Sequence, residues 1–127
     1  MRNNKDIEIL ERMIKYCNEI DEANTQFGKS FDILESNSVY KNAVAMCILQ
    51  IGELTTHLSE SFKKEYNKMP WRDIKDMRNI AAHRYGSFDS EILWDTMEGD
   101  IPSLKEYCEE ILKNINEDED NKWTKIE

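Results

Sequence analysis

No apolar run in this chain approaches the ~20 residues that a membrane-spanning helix needs, so a helical membrane span is excluded over these 127 residues. Glycine-rich phosphate loops, strand-like alternation and internal repeats are also missing. Their absence removes nucleotide-cradling loops and β or solenoid architectures from consideration. There are two histidines, His57 and His83, with no H-x3-H pair and no paired cysteines. The sequence therefore offers no convincing metal site. Three cysteines (Cys17, Cys47, Cys108) are odd in number, far apart and set among apolar helical positions. Buried reduced thiols are expected. The opening Met1-Arg2-Asn3-Asn4-Lys5 leads into an amphipathic stretch and not an apolar signal core, and a cytoplasmic location is expected.

What is present is a helical periodicity sufficient for one domain. Ile7, Leu10, Ile14, Cys17 and Ile20 predict a first helix from Asp6 to about Asn24. Phe31, Ile33 and Leu34 predict a short turn over one end of the core. Ser36-Asn37-Ser38 offers N-cap residues for a long second helix reaching about Tyr66. Its stripe of Val44, Cys47, Ile48, Ile51, Leu58 and Phe62 is widened by Ala43, Met46 and Leu49, which predicts a central helix contacted on more than one side. Gly52 inside it costs about 1 kcal/mol relative to alanine, a cost that a close backbone approach would justify. Pro70 fits the first turn of a third helix, packed through Trp71, Ile74, either Met77 or Arg78, and Ala81. Asp89 caps a fourth, interrupted at Gly99 and Pro102 and resuming to about Asn114. Trp71, Trp94 and the methionines are expected in the core. The predicted fold is an all-α, antiparallel bundle of four to five helices over residues 1–115. An acidic, mobile tail follows over 116–127, where Trp123 is a candidate partner contact.

The net charge of −9 argues at first sight against a nucleic-acid ligand, but its distribution changes that. Residues 61–85 hold seven basic side chains against three acidic ones, a balance of +4 that leaves −13 elsewhere. Within this basic segment lies Arg78-Asn79-Ile80-Ala81-Ala82-His83-Arg84-Tyr85, closed by Gly86. At ~100° per residue, Arg78 and His83 lie about 140° apart on a regular α-helix. To meet at one point they need a backbone turn near His83 or a second copy of the chain. Such residues at a helix end also serve as caps and packing groups. Their chemistry nonetheless suits RNA, which carries its own nucleophile in the 2′-hydroxyl. His83 can move a proton near neutral pH, and Arg78 can stabilise charge on a phosphate. Glu53 admits two roles, holding Arg78 or a histidine in place, or pairing with His57 four residues on.

The spacing R-x4-H-x-Y from Arg78 through His83 to Tyr85 resembles the signature of HEPN-domain proteins of the HepT type. These are toxins whose antitoxin is a minimal nucleotidyltransferase. Gln50-Ile51-Gly52-Glu53, Pro70-Trp71-Arg72, Trp94 and Ile101-Pro102-Ser103-Leu104 are similar to that family as well, so the likeness covers roughly residues 6 to 115. The resemblance implies a HEPN-like bundle and a homodimer with its symmetric contact near the motif helix. It also implies RNA cleavage at a composite site, and since the 2′-hydroxyl chemistry needs no metal, metal-independent cleavage with no cofactor is expected. Arg78 and His83 are then the catalytic pair, and Tyr85 the tyrosine that the cognate nucleotidyltransferase modifies with AMP. By their own chemistry Asn79, able to orient either group or the phosphate, and Glu53 are accessory groups. The substrate is RNA, with transfer RNA a candidate. The alternative is a non-catalytic helical subunit that binds substrate or serves such a nucleotidyltransferase.

Overall fold

Ile9, Leu10, Met13, Cys17 and Ile20 recur at three- and four-residue spacing, and they form the buried stripe of α1, Asn4–Phe27, in the computed structural model of the chain. The structure describes residues 4–81 and 88–124, except for the side chains of Ala81 and of residues 119–124. Gly28, with φ +81°, takes the chain out of α1 in the left-handed region that glycine enters without steric cost. Helix α2, Phe31–Ser36, is the expected cover over one end of the core, with Leu34 fully buried. Asn37 caps α3, Ser38–Thr55, its side chain accepting from the Tyr40 N–H at 3.0 Å. After that come α4, Glu60–Glu65, and α5, Trp71–Lys75. A 3-10 segment, Asp76–Ala81, follows directly. Asp89 caps α6, Ser90–Glu98, and α7 runs from Asp100 to Thr124. Every described element is helical.

Side-chain contacts fix the directions. Asp6, Glu19 and Asn24 of α1 meet Ser59, Cys47 and Tyr40 in turn, so α1 and α3 run antiparallel. Asp21 meets Lys105 at 3.3 Å, near the start of α7, so α7 also opposes α1. Helix α3 packs on α1, α2, α5, the 3-10 segment and α6. It is the central helix of an all-α antiparallel bundle, as its broad apolar stripe predicts.

Four expectations need correction. The long second helix does not reach Tyr66 but ends at Thr55. The Ser59 N–H, which would continue it, donates instead to Asp6 Oδ1 at 2.9 Å, and Ser59 Oγ donates to Asp6 Oδ2 at 2.7 Å. Ser59 then accepts from the Phe62 N–H and starts α4 as a fresh N-cap. The third helix keeps α geometry only to Lys75 before tightening to 3-10 winding. The last helix passes Asn114 and continues to Thr124. Ile115 adds a buried turn, and no glycine or proline follows Pro102, so a run of charges alone does not stop the helix. Finally, Met46 is 54% exposed and Ala43 is exposed as well, so not all the methionines belong to the core.

Candidate active site

The basic segment is anchored at its start by aromatic packing. Trp71 is buried, its indole N–H donates to the Tyr66 carbonyl at 2.7 Å, and its ring lies near those of Phe62 and Tyr107. Ile74 and Met77 continue the inward face. Between them these residues press the junction of α5 and the 3-10 segment onto α3, and Arg78 emerges from that junction half-exposed.

Where the junction meets α3, there is a glycine. A Cβ placed on Gly52 would lie 2.8 Å from the Arg78 backbone N, 3.0 Å from Arg78 Cγ and 3.2 Å from the Lys75 carbonyl O. Here is the close backbone approach that the interior glycine implies. The neighbouring Glu53 reaches Arg78 Nη1 through Oε2 at 3.5 Å, and His57 Nε2 lies 3.7 Å from its Oε1. Both contacts expected of Glu53 are therefore present. All three side chains are about half exposed, which keeps the ion pairs weak and leaves donors of the Arg78 fork open to solvent.

Asn79 is exposed and lines a hollow of about 260 Å³ with Asp76, Ile80, Asp89 and Ile92. His83 and Tyr85 lie outside the described residues, so the structure brings together Arg78 and Glu53 of the expected set. From Asp76 to Ala81 the 3-10 winding, at ~120° per residue, takes the place of a regular α-helix.

The thiols are poor candidates for chemistry. Burial pushes Cys17, Cys47 and Cys108 up to about 12, with the carboxylates of Asp21, Glu19 and Glu109 adding to the effect, in that order. The thiolate is the reactive form, and at neutral pH none of the three supplies it. Among the described residues no cluster of three His, Cys, Asp or Glu side chains is arranged to hold a metal ion, and no described helix is long and apolar enough to cross a membrane. One residue that sequence reasoning passed over is Asp6, buried where it accepts from Ser59 at the start of α4. The adjoining Thr55-Thr56-His57-Leu58-Ser59, rich in capping hydroxyls, is the signal that marks its partner.

Comparison with known proteins bears on this geometry. The family model described as HepT-like ribonuclease matches residues 7–111. A Methanocaldococcus jannaschii protein named "Gamma-glutamylcyclotransferase and putative RNase" is 30% identical over 94% of this chain, which spans about half (53%) of that relative's length. A protein of Caldanaerobacter subterraneus subsp. tengcongensis named "Putative RNase" is 31% identical over 68% of this chain and 77% of its own. In Thermococcus cleftensis a "Probable ribonuclease HepT" is 37% identical over 56% of this chain and 64% of its own. No solved structure matches. With its model covering Gly52, Glu53 and the whole Arg78-to-Tyr85 motif, the chain belongs to the HepT-like ribonuclease family.

Proposed function

We propose that this protein is a metal-independent endoribonuclease, the toxin of a toxin–antitoxin pair. It cleaves RNA at a composite homodimeric site with Arg78 and His83, and a nucleotidyltransferase antitoxin neutralises it by adding AMP to Tyr85. The observation that carries this is the presentation of Arg78. The residue stands half-exposed on a carboxylate tether, within the basic stretch of an acidic chain, inside the segment matched by the ribonuclease family.

The chemistry follows from the substrate. The 2′-hydroxyl oxygen attacks the adjacent phosphorus while its proton passes to one histidine. The bond from phosphorus to the 5′-oxygen breaks, and that oxygen takes a proton from a second histidine. A cyclic phosphate and a 5′-hydroxyl end result. Arg78 offsets the charge that builds on the non-bridging oxygens. Asn79 orients the phosphate and Glu53 the guanidinium. AMP on Tyr85, two residues from His83, adds bulk and negative charge where the RNA phosphate must come.

One protomer supplies a single motif histidine, so proton donor and acceptor call for two copies. A face suited to that contact exists on α3. Val39 (66% exposed), Asn42, Ala43 and Met46 form an uncharged exposed strip that leads through Gln50 to Glu53. Two chains of charge −9 repel one another, and an uncharged strip carrying Val39, Ala43 and Met46 is where that repulsion is least and apolar burial most favourable. Placing a glutamate there with Met46→Glu is expected to shift sedimentation from dimer to monomer at micromolar concentration. An unchanged sedimentation coefficient would remove this face from the assembly.

The deciding experiment is RNA cleavage by purified, unmodified protein in excess EDTA, with Arg78→Ala and His83→Ala alongside. Cleavage by the parent protein, lost in both variants, is expected. If the unmodified protein leaves several RNAs intact, the role of a non-catalytic partner subunit takes precedence.

A further inference from the structure

Gly52 and Glu53 are consecutive, and both act on Arg78. Two of the three atoms that crowd the missing Cβ of Gly52, the Arg78 N and the Lys75 O, belong to backbone. Backbone cannot swing aside as the tip of a long side chain can. A side chain at position 52 would lift the junction of α5 and the 3-10 segment off α3, carrying Arg78 with it. One residue later, Glu53 takes hold of the same arginine at its far end, by Nη1 at 3.5 Å. The arginine is thus fixed at its root by the absence of a side chain and at its tip by a carboxylate.

We infer that Gly52–Glu53 is a two-point positioning seat that aims the Arg78 guanidinium at the substrate phosphate. The inference rests on the assignment of Arg78 to phosphate stabilisation made above. Both partners in the Glu53–Arg78 contact are half-exposed, so it adds little to folding. Orientation is what it supplies: a flexible arginine held at one nitrogen keeps its remaining donors in a narrower set of directions. The seat carries an opposing effect, since a carboxylate beside the arginine repels the incoming phosphate. Glu53 therefore favours turnover and opposes binding, and the two effects separate in kcat and KM.

The test compares Glu53→Ala, Glu53→Gln and Gly52→Ala with Arg78→Ala, measuring kcat and KM on one RNA together with thermal unfolding. Glu53→Ala is expected to lower kcat about tenfold with an unchanged unfolding temperature. Glu53→Gln, whose amide oxygen still accepts from the guanidinium, is expected to keep kcat within about twofold and to lower KM severalfold. Gly52→Ala is expected to lower kcat tenfold or more. Should that variant fail to fold, the Glu53 pair decides alone. A Glu53→Ala protein with the parent kcat, or a Glu53→Gln protein as slow as Glu53→Ala, overturns the seat. The ribonuclease assignment fails separately, through an Arg78→Ala protein that cleaves at full rate.

Discussion

Two carboxylates in this bundle each hold a neighbouring segment, and they do so in opposite surroundings. Asp6 is 3% exposed and accepts two short hydrogen bonds from Ser59, at 2.9 and 2.7 Å. Glu53 is 54% exposed and meets Arg78 and His57 at 3.5 and 3.7 Å. A buried carboxylate must be fully satisfied, because a lost partner leaves charge stranded away from water. An exposed one can share its partners with solvent and release them to a ligand. Asp6 accordingly shapes the fold by ending α3 and starting α4, whereas Glu53 shapes a surface that remains free to do chemistry. On the function proposed above, strength of contact and importance to function run in opposite directions.

The sharpest way to break that comparison is to exchange the readouts. Arg78→Ala or His83→Ala is expected to lower RNA cleavage by about 10³-fold, in the range of lost charge stabilisation or proton transfer. For Arg78→Ala the midpoint of thermal unfolding should stay within a degree or two, because the ion pair removed is exposed. Asp6→Ala should do the reverse. Losing two hydrogen bonds to a buried carboxylate costs about 2 kcal/mol, a fall of roughly 5–10 °C in unfolding midpoint for a domain of this size. Cleavage per folded molecule, measured well below the midpoint, should hold. A stable Asp6→Ala protein would mean that Ser59 finds another partner and that burial alone does not mark the structural carboxylate.

The same contrast explains what the sequence discloses. Helix faces were legible wherever the burial is local, as in Leu10, Cys17 and Ile20 of the α1 stripe and the caps at Asn37 and Asp89, although Ile7 and Ile14, read into that stripe, are only partly buried and Ile9 takes the inward place. Gly52 was legible as a site of close approach, because an interior glycine needs a reason, but its partner at Arg78 lies in another element. The end of α3 was hidden for a similar cause, since it depends on Asp6, 53 residues away in sequence from Ser59. The change to 3-10 winding at Asp76 comes with packing of the junction on Gly52, which periodicity does not encode. The charged stretch after Asn114 reads as a tail by composition, yet its glutamates and lysines favour a helix and no glycine or proline lies among its residues. At the site, residue types and spacing picked out Arg78 and Glu53 and left both possible partners of Glu53 open. The structure supplies both at once.

That shared carboxylate gives the smallest and most discriminating expectation. His57 touches Glu53 from the i+4 position at 3.7 Å, and 55% of its side chain is exposed. Such a pair contributes no more than about 0.5 kcal/mol, so His57→Ala should leave the unfolding midpoint within a degree or two. If Glu53 serves chiefly to aim Arg78, removing its second partner frees the carboxylate to engage the guanidinium alone, and kcat should be unchanged or slightly higher. A severalfold fall in kcat at constant stability would instead mean that His57 holds Glu53 in place. The positioning chain would then begin one turn further along, in the hydroxyl-rich break after α3, whose geometry Asp6 sets. The two carboxylates would no longer be independent. Asp6→Ala would be expected to slow cleavage as well as weaken the fold, and the double variant would show the coupling as a loss smaller than the product of the two.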